Sequence, residues 1–312
     1  MEPVTMTRVS GWLGRLGVAA MLAWQAAGPA AGAGPVLERV RERGEVNCGV
    51  DLTPGFSAMD TTGRARGFEV DFCRAIAAAA LGTPDAIAVH RVNTANKFTA
   101  LVAGEIDVAF GMTTWTFTRD TALGTAFPVV LFYDGQGLMA WADTGVRRLA
   151  DAGPRRVCVQ AGTTSAAGLE EVIRRDGVAL QPLATGSSEE KFTAFAQRRC
   201  DLVTGDRSEL AVRAATMAPG PGQWIVLPDV NSREPLGPAV AAGDPQWYAL
   251  VRWVVLATLV AEARGVDSAG IAALADSPDP EIRRLAGGDP GFGTALGLDP
   301  RWAQRVIAGV GN

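Results

Sequence analysis

A repeated pattern of helix followed by strand is the feature of this 312-residue chain that most restricts its fold. Residues 98–111 begin FTAL and end DVAFG, and residues 192–205 begin FTAF and end DLVTG. In each copy the pattern predicts a short amphipathic helix, a polar turn and an apolar strand ending in glycine. Upstream of each copy, residues 46–50 and 157–160 are predicted to form a buried strand that precedes another helix. The chain therefore predicts two βαβ units with right-handed crossovers rather than a long solenoid.

Composition excludes several classes of function. With 48% apolar and 20% charged residues, the chain is long enough to divide a large core between two domains. The net charge is −4 and no basic block offers a surface for nucleic acid. His90 is the only histidine, which excludes a metal centre with two imidazoles and disfavours a histidine-based catalytic triad. Lys97 and Lys191 are the only lysines, so Schiff-base chemistry has few candidates. We therefore predict no catalytic residue, no metal and no cofactor.

The first 33 residues are predicted to be a secretory signal peptide rather than part of the fold. Arg8 and Arg15 precede an apolar run at residues 16–24, and small residues follow up to Ala31-Gly32-Ala33. The apolar run is shorter than the ~20 residues that span a membrane. No cysteine follows it to suggest a lipoprotein anchor. We predict cleavage after Ala33 and a mature protein outside the cytoplasm.

The four cysteines, Cys48, Cys73, Cys158 and Cys200, fit an oxidising compartment. Their spacing matches neither a zinc site nor a thioredoxin motif. In the second unit, the first strand holds Cys158, and Cys200 directly precedes the neighbouring strand, so these two are expected to be bridged. Cys48 lies on the first strand of the first unit and is within reach of Cys73 on the helix packed over it. Four small buried thiols are the alternative.

Helical periodicity is clear in several segments. The helix that begins near Gly67 has Phe68, Phe72 and Ile76 on one face, at positions i, i+4 and i+8. A long helix is predicted from about residue 245 to residue 264, and short helices near 280–286 and 300–308.

Three ordered stretches resemble a known family. They are GFEVD at 67–71, AGEIDV at 103–108 leading through Thr113-Thr114 to Arg119, and QAGTT at 160–164. Together they resemble the solute-binding proteins of polar amino-acid ABC importers. A subgroup, the general L-amino-acid-binding periplasmic proteins, also resembles the chain at NCGV (47–50), DFC (71–73), TTWT (113–116), RDTALG (119–124), YDGQG (133–137) and EPLGPAV (234–240). The resemblance extends over essentially the whole mature chain.

This resemblance implies the α/β fold of type II periplasmic binding proteins, in which two Rossmann-like lobes are joined by two crossing segments. Lobe 1 is then expected at residues 34–135 and 233–312, and lobe 2 at residues 136–232. The crossings are expected near residues 133–135 and 232–234. The resemblance further implies a monomer that holds a free L-amino acid between its lobes and delivers it to the membrane permease subunits of an ABC importer.

The resemblance also implies a ligand set drawn from both lobes: Phe56, Thr113, Thr114, Arg119, Thr163, Thr164 and Asp206. These residue types suit a buried amino acid, because its carboxylate and ammonium need paired charges and hydrogen bonds. Arg119 offers a planar fork to the carboxylate, and Asp206 accepts from the ammonium. The threonines supply hydroxyl and backbone N–H groups at strand ends and at a helix start.

Each of these assignments has an alternative. Arg119 is otherwise a solvated loop arginine, Asp206 a helix N-cap, and Thr163 and Thr164 plain caps. Phe56 resembles the aromatic residue that stacks on the ligand in the family, but an ungapped spacing puts Pro54 there instead. Tyr133 is assigned to packing at the hinge.

One departure from the subgroup affects specificity. Gly111-Met112 stands where the subgroup has Arg-Asn. The resemblance therefore does not imply which ligand side chain this protein prefers. The same fold also hosts periplasmic cyclohexadienyl dehydratases, for which Asp51, Glu69 or Asp134 would be the candidate acid. A soluble amino-acid sensor is the other alternative.

Overall fold

The computed structural model describes residues 34–218 and 220–312, so the predicted signal peptide lies outside the described residues. The helices of the described part are α1 (Pro35–Arg43), α2 (Phe68–Leu81), α3 (Lys97–Val102), α4 (Phe117–Ala122), α5 (Thr164–Asp176), α6 (Ser188–Ala196), α7 (Arg207–Thr216), α8 (Pro245–Ala263), α9 (Pro280–Leu285) and α10 (Trp302–Val310). Within that part, no helix combines the length and apolar character needed to cross a membrane.

The strands are mostly short, and their described bounds follow. They are β1 (Val46–Val50), β2 (Ala58–Met59), β3 (Ala65–Arg66), β4 (Ile87–Arg91), β5 (Val108–Ala109), β6 (Thr125–Ala126), β7 (Phe132–Asp134), β8 (Gln136–Trp141), β9 (Arg155–Gln160), β10 (Leu180–Thr185), β11 (Leu202–Asp206), β12 (Trp224–Val226), β13 (Glu234–Leu236) and β14 (Val240–Ala241).

The first sheet contains three parallel strands in the order β4-β1-β5. β1 is central, and its Cys48 lies beside Val89 of β4 and Val108 of β5. Four of the five residues of β1 are buried, as expected for a parallel strand covered on both faces. Its core is shared with α1, α2, α8 and α10.

Helix α2 buries only part of the face that its periodicity predicts, because Ile76 is buried, Phe72 is partly buried and Phe68 is exposed. Phe68 is 40% exposed, whereas Val70, Cys73 and Ile76 are buried, as is the alanine run at residues 77–80. The reason is that α2 packs against β1 on one side and against α8 and α10 on another. Small alanine side chains allow this close approach on two sides, and the phenylalanines at the start of the helix are left at its edge.

The second sheet has five strands in the order β10-β9-β11-β8-β12. β10, β9 and β11 are parallel, whereas β8 and β12 run antiparallel to their neighbours. Alternate residues of β9 enter two separate cores. Val157 and Val159 pack with residues of α5, and Cys158 packs with residues of α6 and α7 on the other face. The sheet is therefore covered by helices on both faces.

The internal repeat has the same placement in both sheets. Helix α3 leads to β5, which lies beside β1, and α6 leads to β11, which lies beside β9. The two predicted βαβ units are present. Sequence analysis did not predict the antiparallel strands β8 and β12 that extend the second sheet.

The structure has two disulfides, Cys48–Cys73 and Cys158–Cys200, with Cα atoms 6.2 Å and 5.7 Å apart. These are the two pairs expected from the sequence, one between neighbouring strands and one between a strand and the helix packed over it. Each disulfide links residues that belong to the packing of one sheet. Neither disulfide connects the two sheets to each other.

We expect peptide mapping without reduction to find these two linkages and no thiol in the mature protein. In the chain-entropy model, a bridge closing a loop of this length contributes roughly 3–4 kcal/mol to the free energy of unfolding. The double variant Cys158→Ser/Cys200→Ser is expected to lose about that much in urea unfolding. A peptide that joins Cys48 to Cys158 or Cys200 would contradict the assignment.

The two segments that connect the sheets pair with each other. β7 and β13 form an antiparallel ladder in which Tyr133 lies opposite Pro235, and Asp134 lies opposite Glu234. At Gly135, an added Cβ would lie 2.7 Å from the carbonyl oxygen of Ser232, so the two segments approach closely at this point. The crossings are therefore coupled along their length.

Candidate functional site

A cavity lies between the two sheets, and residues that follow parallel strands contribute to both of its walls. Asp51 follows β1, Gly111 and Met112 follow β5, Gln160 ends β9, and Asp206 ends β11. Ligands of open parallel sheets bind at the carboxyl ends of the strands, and this cavity lies at such strand ends. The other lining residues are Thr53, Thr94, Lys97, Arg119, Thr163, Thr164, Ser165, Ser188, Lys191, Gly205 and Glu209.

The wall after β5 is a tight turn held by a buried carboxylate. Gly111 and Met112 both have positive φ, +86° and +47°. Glu69 accepts hydrogen bonds from the N–H groups of Gly111 (3.0 Å) and Met112 (2.7 Å). Burial raises the pKa of Glu69 to about 7, although these N–H groups oppose the rise. A glycine at the first position accommodates the left-handed backbone that this turn requires.

Thr113 lies behind the wall rather than among the lining residues. Its hydroxyl accepts from Lys97 Nζ at 2.8 Å and donates to the carbonyl of Phe110 at 2.8 Å. The side chain is almost fully buried. It therefore supports the cavity through Lys97.

Arg119 lines the cavity near the start of α4. Its Nη1 donates to the carbonyl oxygen of Thr114 at 2.8 Å, and its guanidinium lies 5.4 Å from the ring centre of Phe98. Among the described residues, no carboxylate forms an ion pair with it. Desolvation lowers its pKa, opposed by the more distant Glu234 and Asp206. The arginine is therefore fixed by neutral groups and keeps its charge available to a bound anion.

Thr163 and Thr164 start helix α5 on the opposite wall. The Thr163 hydroxyl caps the helix by accepting from the N–H of Ala166 at 3.1 Å, and it donates to the carbonyl of Gln160. The first N–H groups of a helix have no acceptor within the helix, and the helix dipole favours an anion beside them. The Thr164 hydroxyl lies 3.4 Å from that of Thr114, which lies beside the opposite wall but is not among the lining residues.

Asp206 ends β11 at the N-cap position of α7, yet its side chain makes no capping hydrogen bond. Desolvation raises its pKa well above the ordinary value, and the nearby carboxylates of Glu209, Asp134 and Glu234 raise it further. A carboxyl group in this environment is stabilised by an incoming cation. The side chain therefore does not act as the plain cap that was the alternative.

Phe56 does not line the cavity. It is buried beside α2, where its ring makes edge-to-face contacts with Phe68 (6.1 Å between ring centres) and Phe132 (6.0 Å). Pro54 is also absent from the lining, and Thr53 is the residue of this loop that reaches it.

Four charged lining residues were not part of the ligand set expected from the sequence: Asp51, Lys97, Lys191 and Glu209. Lys191 and Glu209 form a buried ion pair at 3.0 Å. Burial raises the pKa of Asp51, and the positive charge of Lys97 is the main effect that opposes this rise. The sequence held one signal for the two lysines. The internal repeat includes the residue before Phe98 and Phe192, so that both copies begin Lys-Phe-Thr-Ala.

Of the three acids considered for an enzymatic alternative, only Asp51 lines the cavity. The carboxylate of Glu69 accepts hydrogen bonds from the backbone of the turn after β5. Asp134 accepts from the N–H of Ser208 at 3.2 Å and from the Ser208 hydroxyl.

Two α/β sheets covered by helices, a charged cavity between them and paired crossings are characteristic of the periplasmic binding protein class. Residues 46–257 match the family of bacterial extracellular solute-binding proteins, family 3, and the chain belongs to that family.

Two relatives and one solved structure illustrate the relationship. The general L-amino acid-binding periplasmic protein AapJ of Rhizobium johnstonii is 40% identical over 92% of this chain and 85% of its own length. The glutamate/glutamine/aspartate/asparagine-binding protein BztA of Rhodobacter capsulatus is 38% identical over 97% of this chain and 88% of its own. An ABC transporter periplasmic binding protein from Brucella ovis, solved with glutathione bound, has a TM-score of 0.84 at 37% identity and covers 88% of this chain and 86% of its own. These are binding proteins rather than enzymes.

Proposed function

We propose that the protein captures a free L-amino acid in this cavity and delivers it to the permease of an ABC importer. The observation that carries the proposal is the placement of Arg119 and Asp206, opposite in charge, on the two walls of one cavity. A free amino acid presents a carboxylate and an ammonium a few ångströms apart, and burying both requires a partner for each. The named functions of the relatives support this assignment.

In this proposal Arg119 binds the α-carboxylate through its guanidinium, helped by the first N–H groups of α5 at Thr164 and Ser165. Asp206 accepts from the α-ammonium. Thr114 and Thr164 contribute hydroxyls where the walls meet, and Thr163 positions the helix start. Thr113 acts indirectly through Lys97, and Phe56 packs outside the cavity.

Capture is coupled to closure of two lobes, which we assign to residues 34–135 with 233–312 and to residues 136–232. Two contacts support a closed arrangement: the hydroxyls of Thr114 and Thr164, and the exposed ion pair between Arg91 of β4 and Glu189 of α6 at 2.9 Å. A ligand that touches both walls binds the closed form better than the open form, and this difference drives closure.

The location and partners follow from the same proposal. The first 33 residues act as a signal peptide, the mature chain is a periplasmic monomer, and its partners are the amino acid and the permease subunits. The periplasmic names of the relatives support the location. A net charge of −4 argues against a nucleic-acid partner.

A thermal-shift screen with the twenty L-amino acids tests the function directly. A ligand that binds the folded state stabilises it by about 2.7 kcal/mol at a concentration of 100 Kd. We expect at least one L-amino acid to raise the melting temperature by several degrees, and its D-enantiomer to have little effect. If no L-amino acid shifts the transition or gives heat in calorimetry, the proposed function is wrong.

A further inference from the structure

The two lysines of the chain lie in the same cavity, one on each wall. Lys97 begins α3 and Lys191 lies in α6, at equivalent positions of the internal repeat. They are 2% and 3% exposed, respectively. All other basic side chains of the chain are arginines, apart from His90. Two buried ammonium groups facing one cavity call for a chemical explanation.

Lys97 has only neutral acceptors. Its Nζ donates to the carbonyl of Gly111 at 2.9 Å and to the Thr113 hydroxyl at 2.8 Å, and among the described residues it forms no ion pair. It is also the first residue of a helix, where the dipole disfavours a cation. Desolvation, together with the charge of Arg119, lowers its pKa to about 8. Within the described part of the chain, the third N–H of its ammonium has no partner.

Lys191 is only partly satisfied by its surroundings. It donates to Oε2 of Glu209, while the Ser188 hydroxyl donates to Oε1 of the same carboxylate. Because an ammonium has three N–H groups, two more are without a hydrogen-bond acceptor among the described residues. An added Cβ at Gly205 would come within 2.9 Å of Lys191 Nζ, so the glycine makes room for this lysine in the wall.

The remainder of the lining is polar. Hydroxyls and charged groups predominate, and Met112 is the largest apolar side chain among the lining residues. Among the described residues, none of those lining the cavity is aromatic, and Phe56 packs elsewhere. An aliphatic or aromatic ligand side chain would find little apolar surface there, and it would leave the remaining N–H groups of the two lysines without acceptors. A cationic side chain would meet Lys97, whose charge no ion pair neutralises in the described part of the chain, whereas the charge of Lys191 is paired with Glu209.

We propose that Lys97 and Lys191 select L-amino acids whose side chain ends in a carbonyl-type oxygen, either a carboxamide or a carboxylate. This inference rests on the proposed function, in which Arg119 and Asp206 hold the α-carboxylate and the α-ammonium. The lysine N–H groups then donate to the side-chain oxygen. Asp51, near Lys97, accepts from the amide nitrogen of a carboxamide ligand. The lysines are specificity-determining residues, distinct from the groups that recognise every amino acid.

Calorimetry with glutamine, glutamate and alanine separates the two roles, because alanine has the α-groups but no side-chain oxygen. Lys97→Met is expected to weaken glutamine and glutamate binding by about 10- to 100-fold, the effect of one charged hydrogen bond, and alanine binding by less than ~3-fold. Lys191→Met is expected to act in the same direction. Arg64→Met, at an exposed arginine, is the matched control. Equal losses for all three ligands would overturn the proposal.

Nuclear magnetic resonance on the unaltered protein gives a second readout that needs no variant. Lysine labelled with ¹³C at Cε yields signals from two side chains only, and both are in the cavity. Saturating glutamine or glutamate is expected to shift both signals and to raise the pKa of Lys97, whereas alanine leaves that pKa nearly unchanged. The comparison of glutamine with glutamate identifies which oxygen is preferred. If L-amino acids bind but leucine equals glutamine and the lysine signals do not move, this inference fails while the proposed function stands.

Discussion

Replacing Arg119 with alanine is expected to lower the affinity for the preferred amino acid by ~100-fold or more. The variant would bury the ligand carboxylate without its cation, and breaking such a pair from one side costs about 3–5 kcal/mol. Folding is expected to persist, because Arg119 forms no ion pair within the described part and Thr116, rather than Arg119, supplies the N-cap of α4. Isothermal titration calorimetry measures the affinity, and the melting temperature reports on folding.

Two variants serve as controls for this result. Arg119→Lys keeps the charge but loses the planar fork, so an intermediate affinity is expected. Arg64→Ala removes an exposed arginine and should bind like the unaltered protein. An affinity of Arg119→Ala within about threefold of the unaltered protein would remove Arg119 from the site.

Asp206→Asn is expected to weaken binding by a similarly large factor and to change its dependence on pH. The pKa of Asp206 is raised in the ligand-free protein, and an ammonium partner stabilises the ionised form and so lowers that pKa. Binding therefore releases a proton when the pH lies between the lowered pKa of the complex and the raised pKa of the free protein, and affinity rises with pH across that interval. Above it, the affinity no longer depends on this group.

Titrations in buffers of different ionisation enthalpy measure this released proton. Because Asp51, Glu69 and Lys97 also have shifted pKa values, the difference between the unaltered protein and Asp206→Asn isolates the contribution of Asp206. The pKa of Asp206 is higher in the folded, ligand-free protein than the ordinary value of an aspartate. The free energy of unfolding therefore falls as the pH rises toward that raised pKa. Above that pH, the ligand-free asparagine variant should therefore melt at a higher temperature. The same proton release in both proteins would assign it to another group.

Strand-end residues were the part of the site that sequence analysis could locate. Arg119, Thr163, Thr164 and Asp206 all follow an apolar strand or begin a helix, and the structure places them around one cavity. Their roles there remain proposals. The pattern works because parallel strands bring their carboxyl ends to a common edge.

The residues that escaped sequence analysis depend on tertiary packing. Lys191 is the fourth residue of α6, and it reaches the cavity only because Gly205 leaves space and Glu209 of α7 pairs with it. Phe56 was misplaced for a similar reason, since the exposed start of α2 offers Phe68 as an aromatic partner outside the cavity. The periodicity of one helix does not predict which side chains of other elements lie beside it, because these contacts depend on how the helices pack against one another.

The ladder formed by β7 and β13 restricts how the lobes can move. Two independent linkers would allow twisting, shearing and bending, but strands that share hydrogen bonds resist any motion that slides or separates them. Flexing across the face of the ladder breaks none of these bonds. We expect the lobes to swing about a single axis, with one rotational degree of freedom. Little configurational entropy is then lost each time a ligand is bound. A membrane partner needs to drive only this one rotation to open the cavity and release the ligand.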